Sequence, residues 1–297
     1  MSRFALRAAV AGLCVAALGV AACGTDHRDS GKPQVVASTN VWGSVAQAVA
    51  GPDADVASII SDPAADPHSF ESAPADAARV TDADLVVYNG GGYDSFIDKI
   101  LAAEPAKRTV QAYELRADKN DDNEHVWYDI PTVTAVTAKI ATELGDVDPT
   151  HRQGYADRAK DFDNRLREVS AAIQRIAAGA PHAPVAQTEP IAHYLLLAAG
   201  VVDLTPHGFE HAIEDGTDPS PSDVAATRDL LTGRKVRALV YNSQTEDKLT
   251  KDIRTTAQAA DIPVVAMTET LPAGVDYLEW QLRNAESLSV ALHSEAQ

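Results

Sequence analysis

The chain has 297 residues, 43 of them acidic and 25 basic, so its formal net charge is −18. Hydrophobic residues make up 45% of it, which is ordinary for a globular protein and too high for a disordered one. The deficit of Lys and Arg argues against nucleic-acid binding. Both cysteines, Cys14 and Cys23, lie near the N-terminus, so the rest of the sequence offers no disulfide, Cys-based zinc site or thiol nucleophile.

The N-terminal residues have the pattern of a secretory signal. Arg3 and Arg7 precede an uncharged apolar run, residues 8–22, that is too short for a transmembrane helix. The run ends in Val-Ala-Ala-Cys-Gly, which resembles a bacterial lipobox, where cleavage precedes the cysteine and the thiol is acylated. We therefore expect residues 1–22 to be a signal peptide, Cys23 to carry a lipid, and residues 23–33 to form a flexible tether.

The next part of the chain alternates short β-branched runs with helical patterns, which favours a parallel sheet covered by helices. The predicted strands are 34–38, 56–61, 85–88 and 109–113, and the predicted helices are 41–49, 74–80, 93–103 and 131–144. We assign residues 34–147 to an N-terminal α/β lobe.

A long helical pattern follows, over about residues 149–178. Its apolar positions are spaced 4, 3, 4, 3, 4 and 3 residues apart, from Tyr155 to Ile176, which is one continuous stripe on a helix. Asp148 and Pro149 are typical of a helix start, and Gly179 followed by Pro181 is typical of a stop. The alternative is a coiled-coil dimer helix, but the stripe contains only about four heptads. We therefore interpret residues 148–180 as a stiff connector within one chain.

A second set of strands and helices repeats the first plan. The predicted strands are 184–187, 201–204, 238–241 and 263–267, and the predicted helices are 191–199, 222–231 and 246–260. We assign residues 181–297 to a C-terminal lobe. The predicted fold class is therefore α/β, with two lobes that each hold a parallel sheet flanked by helices, joined by one long helix.

Four candidate ligands follow predicted strands, where ligands bind in parallel α/β lobes. His68 and His125 come from the first lobe, and Glu189 and Glu269 come from the second. Each alone is typical of a capping or solvated residue. Two imidazoles and two carboxylates that converged would suit one divalent transition metal.

Other histidines compete for these roles. His193 lies four residues after Glu189 on the same predicted helix face and is an alternative ligand or a supporting residue. His207 and His211 have the spacing of a helical zinc pair, but Pro206 and Gly208 argue against a helix through both.

These motifs carry a resemblance to a known family over about residues 34–288. The matching pieces are the lipobox, Asp-Pro-His-Ser-Phe-Glu at 66–71, Tyr-Asn-Gly at 88–90, His-Val-Trp-Tyr-Asp at 125–129, Asp-Pro-Ser-Pro at 218–221 and the long central helix. The chain resembles the bacterial zinc/manganese solute-binding lipoproteins of ABC transporters, whose two α/β lobes are joined by a rigid helix and hold a metal between them.

The resemblance implies a metal receptor and not an enzyme. His68, His125 and Glu189 fall on ligand positions of the family, and Glu269 stands where relatives usually have Asp. It also implies one Mn²⁺ or Zn²⁺ as cargo, a permease partner, and a monomer anchored by lipidated Cys23 to the outer face of the bacterial cytoplasmic membrane. The short acidic loop before His125, where zinc-specific relatives often carry a His-rich loop, slightly favours manganese.

Two other function classes stay open from the sequence. One is a metal-dependent hydrolase that uses His68, His125 and one glutamate as ligands and the other glutamate as general base. The other is a surface adhesin or structural lipoprotein in which a metal only rigidifies the fold.

Overall fold

Two parallel four-stranded sheets form the framework of the computed structural model, which describes residues 31–293. The first sheet has the strand order β2-β1-β3-β4. Its elements are β1 (Gln34–Thr39), α1 (Asn40–Ala50), β2 (Asp55–Ile60), α2 (Pro74–Asp82), β3 (Leu85–Tyr88), α3 (Ser95–Leu101), β4 (Thr109–Gln111) and α4 (Ile130–Val147), with short 3₁₀ turns at Tyr113–Leu115 and Val126–Tyr128.

The second sheet repeats this arrangement with the order β6-β5-β7-β8. It follows α5 (Arg152–Gly179), and its elements are β5 (Pro184–Gln187), a 3₁₀ turn at Pro190–Ala192, α6 (His193–Ala198), β6 (Val202–Asp203), α7 (His207–Glu214), α8 (Pro221–Thr232), β7 (Ala238–Asn242), α9 (Lys248–Ala259), β8 (Val264–Met267) and α10 (Tyr277–His293). The predicted two-sheet α/β fold is confirmed.

Alternating residues of each strand enter different cores, because successive side chains of a strand point to opposite faces. In β1, Val35 and Ala37 join the large core that α1, α4, α5 and α10 cover, whereas Val36 joins a smaller core with α2 and α3. The second sheet divides in the same way, with α8 and α9 over its smaller core. The large core contains residues of both sheets, so one apolar interior runs through residues 32–293, which belong to one compact unit.

The central helix α5 has 28 residues and is therefore about 42 Å long. Its predicted stripe from Tyr155 to Ile176 is buried, and it packs against α1, α4, α6 and α10. The helix starts at Arg152, three residues after Pro149, and it ends at Gly179 as predicted.

The structure corrects the prediction for His207 and His211, since α7 runs through both. Pro206 occupies the N-cap, outside the helical hydrogen bonding that a proline would disrupt, and Gly208 lies in the first turn. The last helix, α10, had not been predicted; its face toward the core includes Tyr277, Trp280 and Leu288. Among the helices of residues 31–293, none is both long and apolar enough to cross a membrane.

Candidate metal site

His68 stands on the loop that follows β2. The backbone N–H of His68 donates to the carboxylate of Asp66 at 2.9 Å, which fixes the loop just before the ring. The ring packs edge-on against Tyr93, with centroids 4.9 Å apart. Its Nε2 lies 3.5 Å from Oε2 of Glu269, on the opposite side of the cleft. The first lobe therefore presents this imidazole directly to the second.

His125 is fully buried at the start of the Val126–Tyr128 turn. Oδ1 of Asn123 accepts from the His125 backbone N–H at 2.9 Å and lies 3.2 Å from its Nδ1. That contact assigns the ring proton to Nδ1 and leaves the Nε2 lone pair free for a ligand. Asn123 in turn donates to the carbonyl of Pro190 at 3.0 Å, so the second lobe helps to hold the first-lobe histidine.

Asn242, the last residue of β7, ties together the two predicted carboxylate ligands. Its Nδ2 donates to Glu189 Oε2 at 2.6 Å and to Glu269 Oε1 at 2.7 Å. The other oxygen of Glu189 accepts from the hydroxyl of Thr245, whereas the other oxygen of Glu269 has no hydrogen-bond partner. Glu269 is thus held by one oxygen and free at the other, while both oxygens of Glu189 are engaged.

The structure brings three of the four predicted residues together. Ligand atoms of His68, His125 and Glu269 all lie within 4.8 Å of one another, and Nε2 of both histidines and Oε2 of Glu269 are buried without a hydrogen-bond partner. Glu189 accepts a hydrogen bond from Asn242 and is not in this group.

The predicted alternative ligand, His193, stands apart from the three-residue group. His193 contacts the carboxylate of Asp121 at 2.7 Å, and this alternative ligand is likewise not in the group. Cys23, the predicted lipidation residue, lies outside the described residues.

Two further carboxylates approach the site without having been predicted. Glu124 and Glu214 form a second group with His68, again with ligand atoms within 4.8 Å. Glu214 is the last residue of α7, and its Oε1 lies 3.6 Å from His125 Nε2. A prediction of helix over residues 207–214 would have pointed to Glu214, because positions 207, 210, 211 and 214 fall on one helix face.

Burial and opposite charge set the protonation of the two histidines. Burial works to lower the pKa of His68, but its contact with Glu269 and the charges of Glu269, Glu124 and Asp66 outweigh burial and raise that pKa to about 9. Burial lowers the pKa of His125 to about 3, against the charge of Glu269. His68 is therefore charged and His125 neutral at pH 7.

The carboxyl groups at the site also differ from one another in pKa. Burial favours a higher pKa for Glu269, but His68 and His125 hold it below its usual value. Burial, and then the charge of Glu269, raises the pKa of Glu189 to about 7. Burial, and then the charge of Glu124, raises the pKa of Glu214 to about 8. A cation at this site would remove the like-charge repulsion that contributes to these shifts.

Gln244 connects the two sides of the cleft. Its Nε2 donates at 3.0 Å each to the carbonyls of Pro63 and Ala65, which belong to the His68 loop, and its Oε1 accepts from the backbone N–H of Glu269. Asn40 exchanges two further hydrogen bonds with the backbone of Leu271, at 2.9 and 3.0 Å. The lobes are therefore closed on the site.

A two-lobed α/β chain with imidazole and carboxylate side chains buried between its lobes has the architecture of a solute-binding protein for a cation. The model of the family described as zinc-uptake complex component A, periplasmic (ZnuA) matches residues 35–291. The chain belongs to this family, and the resemblance seen in its motifs is confirmed.

Curated relatives carry related descriptions. The manganese ABC transporter substrate-binding lipoprotein PsaA of Streptococcus anginosus is 25% identical over 278 residues, covering 87% of each chain. The metal ABC transporter substrate-binding lipoprotein ScbA of Streptococcus cristatus is 22% identical over 307 residues, covering 94% of this chain and 96% of its own.

Solved structures share the fold. The periplasmic zinc-binding protein TroA of Treponema pallidum has a TM-score of 0.74 at 20% identity, with coverage of 89% of this chain and 100% of its own. FpvC of Pseudomonas aeruginosa, in complex with Mn²⁺, has a TM-score of 0.72 at 23% identity, with coverage of 88% and 98%.

Proposed function

We propose that this chain captures one divalent transition metal, Mn²⁺ or Zn²⁺, between its lobes and delivers it to an ABC-transporter permease in the membrane. The observation that carries the proposal is the set of facing buried atoms without partners: Nε2 of His68, Nε2 of His125 and Oε2 of Glu269. Buried polar atoms are rarely left unpaired unless a ligand completes them. Imidazole and carboxylate donors suit both ions.

The proposed ligands are His68, His125 and Glu269, with Glu189 as the fourth expected from the sequence. Glu189 would exchange its hydrogen bond with Thr245 for the metal. Asn242 would keep Glu189 and Glu269 adjacent throughout, because its amide contacts both. Outer partners of this kind fix the orientation of metal ligands.

The proposed activity is binding and release, without turnover. A catalytic zinc site keeps one coordination position open for water beside three protein ligands. Four protein ligands would fill a tetrahedral sphere and leave no position for a reacting water. This argument favours a receptor over the metal-dependent hydrolase.

We further propose that the chain acts as a monomer, anchored by lipidated Cys23 outside the cytoplasmic membrane. Release to the permease would begin with loss of the cross-cleft hydrogen bonds of Gln244, since these hold the His68 loop against Glu269. The continuous core along α5 supports small lobe movements in place of a wide hinge opening.

Metal titration of the chelator-stripped protein tests the proposal. We expect one ion of Mn²⁺ or Zn²⁺ per chain by calorimetry and elemental analysis, and lower cellular content of that metal when the gene is deleted. Unchanged affinity in all of His68→Ala, His125→Ala, Glu189→Ala and Glu269→Ala would refute the site. Unchanged cellular metal with an intact site in vitro would favour the adhesin or structural lipoprotein.

Metal binding at pH 7 is expected to release at least about one proton per ion, because a ligand must lose its proton to bind. His68, with a pKa of about 9, is the main source, and His125, with a pKa of about 3, contributes none. Affinity should therefore rise as the pH is raised from 6 toward 9. Calorimetry at pH 7 in buffers of different ionisation enthalpy measures the proton count.

Glu210→Gln provides the control for proton release. Burial, and then the charge and contact of Asp203, raises the pKa of Glu210 to about 9, but this residue is in neither ligand group. Its substitution should leave the proton count unchanged. A binding heat that does not depend on the buffer would contradict the assignment of His68.

A further inference from the structure

Glu214 is a carboxylate that the fold directs into the metal site from a helix, and not from the end of a strand. The side chain is 7% exposed, and Oε1 has no hydrogen-bond partner. That oxygen lies 3.6 Å from Nε2 of His125, which also has no partner. Two buried acceptor atoms facing each other without a proton or cation between them are unfavourable.

His211 holds the other oxygen of this carboxylate. Its Nδ1 lies 3.1 Å from Glu214 Oε2, one helical turn away. The His211 ring stacks on His207 at a centroid distance of 3.9 Å, which limits its rotation. Glu214 is therefore oriented in the same manner as Glu269, with one oxygen contacted by a neighbouring side chain and the other directed at a histidine.

The spacing within each facing pair of free atoms is close to that of two ligands on one ion. Ligand atoms about 2.1 Å from a metal are roughly 3.0–3.4 Å apart in octahedral or tetrahedral geometry. The pairs His68–Glu269 and His125–Glu214 are separated by 3.5 and 3.6 Å, so an ion would need to draw each pair together only slightly. Glu214 is also within 4.8 Å of His68.

We propose that Glu214 is an additional ligand of the captured ion and that it biases the site toward Mn²⁺ over Zn²⁺. This inference rests on the proposed function. With two histidines, Glu189 and Glu269, Glu214 raises the number of protein ligands above four and makes oxygen the majority donor. Manganese accepts such oxygen-rich, higher-coordinate sites, whereas zinc favours four ligands.

Substitution of Glu214 by glutamine tests the inference, with Glu210→Gln as the matched control. Glu210 lies one turn earlier on α7 and is similarly buried, but it is in neither ligand group. Titrations with Mn²⁺ and with Zn²⁺ alone should show that Glu214→Gln weakens Mn²⁺ binding at least about tenfold and Zn²⁺ binding less, whereas Glu210→Gln changes neither. Glu214→Asp, which keeps the charge but withdraws the oxygen, should give an intermediate loss for Mn²⁺.

A second measurement separates direct coordination from a structural effect. The Mn²⁺-loaded protein should show a change in its X-ray absorption and electron paramagnetic resonance spectra in Glu214→Gln and not in Glu210→Gln, while metal-free melting stays equal. The inference would be overturned if Glu214→Gln and Glu210→Gln had the same affinities and spectra. It would also be overturned if Glu214→Gln weakened Mn²⁺ and Zn²⁺ binding equally. If Glu214→Gln has no such specific effect but His125→Ala still abolishes binding, the proposed function stands and only the role of Glu214 fails.

Discussion

Replacing His125 with alanine is expected to lower the affinity for Mn²⁺ and Zn²⁺ by about 100-fold or more. Its Nε2 is a buried atom without a partner, beside His68 and Glu269, and its neutral ring needs no deprotonation to bind. Mutation of a residue that only supports a metal ligand lowers metal affinity about 10–100-fold. Loss of a direct ligand should therefore lower the affinity by about 100-fold or more. Competition against a fluorescent chelator measures both dissociation constants.

His193→Ala is the matched control for this loss. His193 also lies near the lobe interface, but its Nε2 contacts Asp121 at 2.7 Å and it belongs to neither ligand group. We expect nearly unchanged affinity. Thermal melting of the protein provides a second readout. A metal ion present at 100 times its dissociation constant stabilises the native chain by about 2.7 kcal/mol, and His125→Ala should lose this stabilisation. If His193→Ala lost more metal affinity than His125→Ala, His193 and not His125 would be the histidine ligand.

Trp127→Ala is expected to lower the free energy of unfolding of the metal-free protein by about 3–5 kcal/mol, the usual cost of emptying a buried tryptophan site. The side chain is 1% exposed and packs against Tyr93 and His125, with ring centroids 4.7 and 5.1 Å away. Chemical denaturation in the presence of a chelator measures the change without a contribution from metal.

Two variants establish that the loss comes from core packing. Leu197→Ala, at a position 64% exposed, should change the free energy of unfolding by no more than about 0.5 kcal/mol. Trp127→Phe keeps an aromatic ring and removes the indole Nε1, which is buried without a hydrogen-bond partner, so it should cost much less than alanine. Equal losses for phenylalanine and alanine would show that ring packing is not the cause.

The sequence predicts the sheets well because their signals are local. Each predicted strand overlaps an observed one, since β-branched runs bounded by turns reflect burial between helices on both faces. Helix ends were predicted less accurately: α5 begins at Arg152, after a turn in which Asp148 contacts His151 at 2.5 Å. The last helix, α10, was missed. The lobe boundaries at residues 147 and 180 stay predictions.

Part of the site follows from the positions of strand ends and part does not. His68, His125 and Glu269 meet because loops after parallel strands share one edge of each lobe. The engagement of Glu189 depends on Asn242 and Thr245, which lie more than fifty residues away in the chain and have no local signal. Glu214 was missed because Pro206, the N-cap of α7, and Gly208, in its first turn, were interpreted as helix breakers.

The position of α10 has a consequence for the order in which the parts of the molecule fold. Tyr277 and Gln281 of this helix donate to the carbonyl of Trp127 at 2.6 and 3.2 Å, and Asn284 donates to the hydroxyl of Tyr128 at 3.0 Å. These are links of about 150 residues in sequence. The turn that presents His125 is therefore completed only after α10 has docked against it. A chain truncated before Tyr277 should fold its first sheet and still lack a fixed His125, so metal capture has to follow the docking of α10.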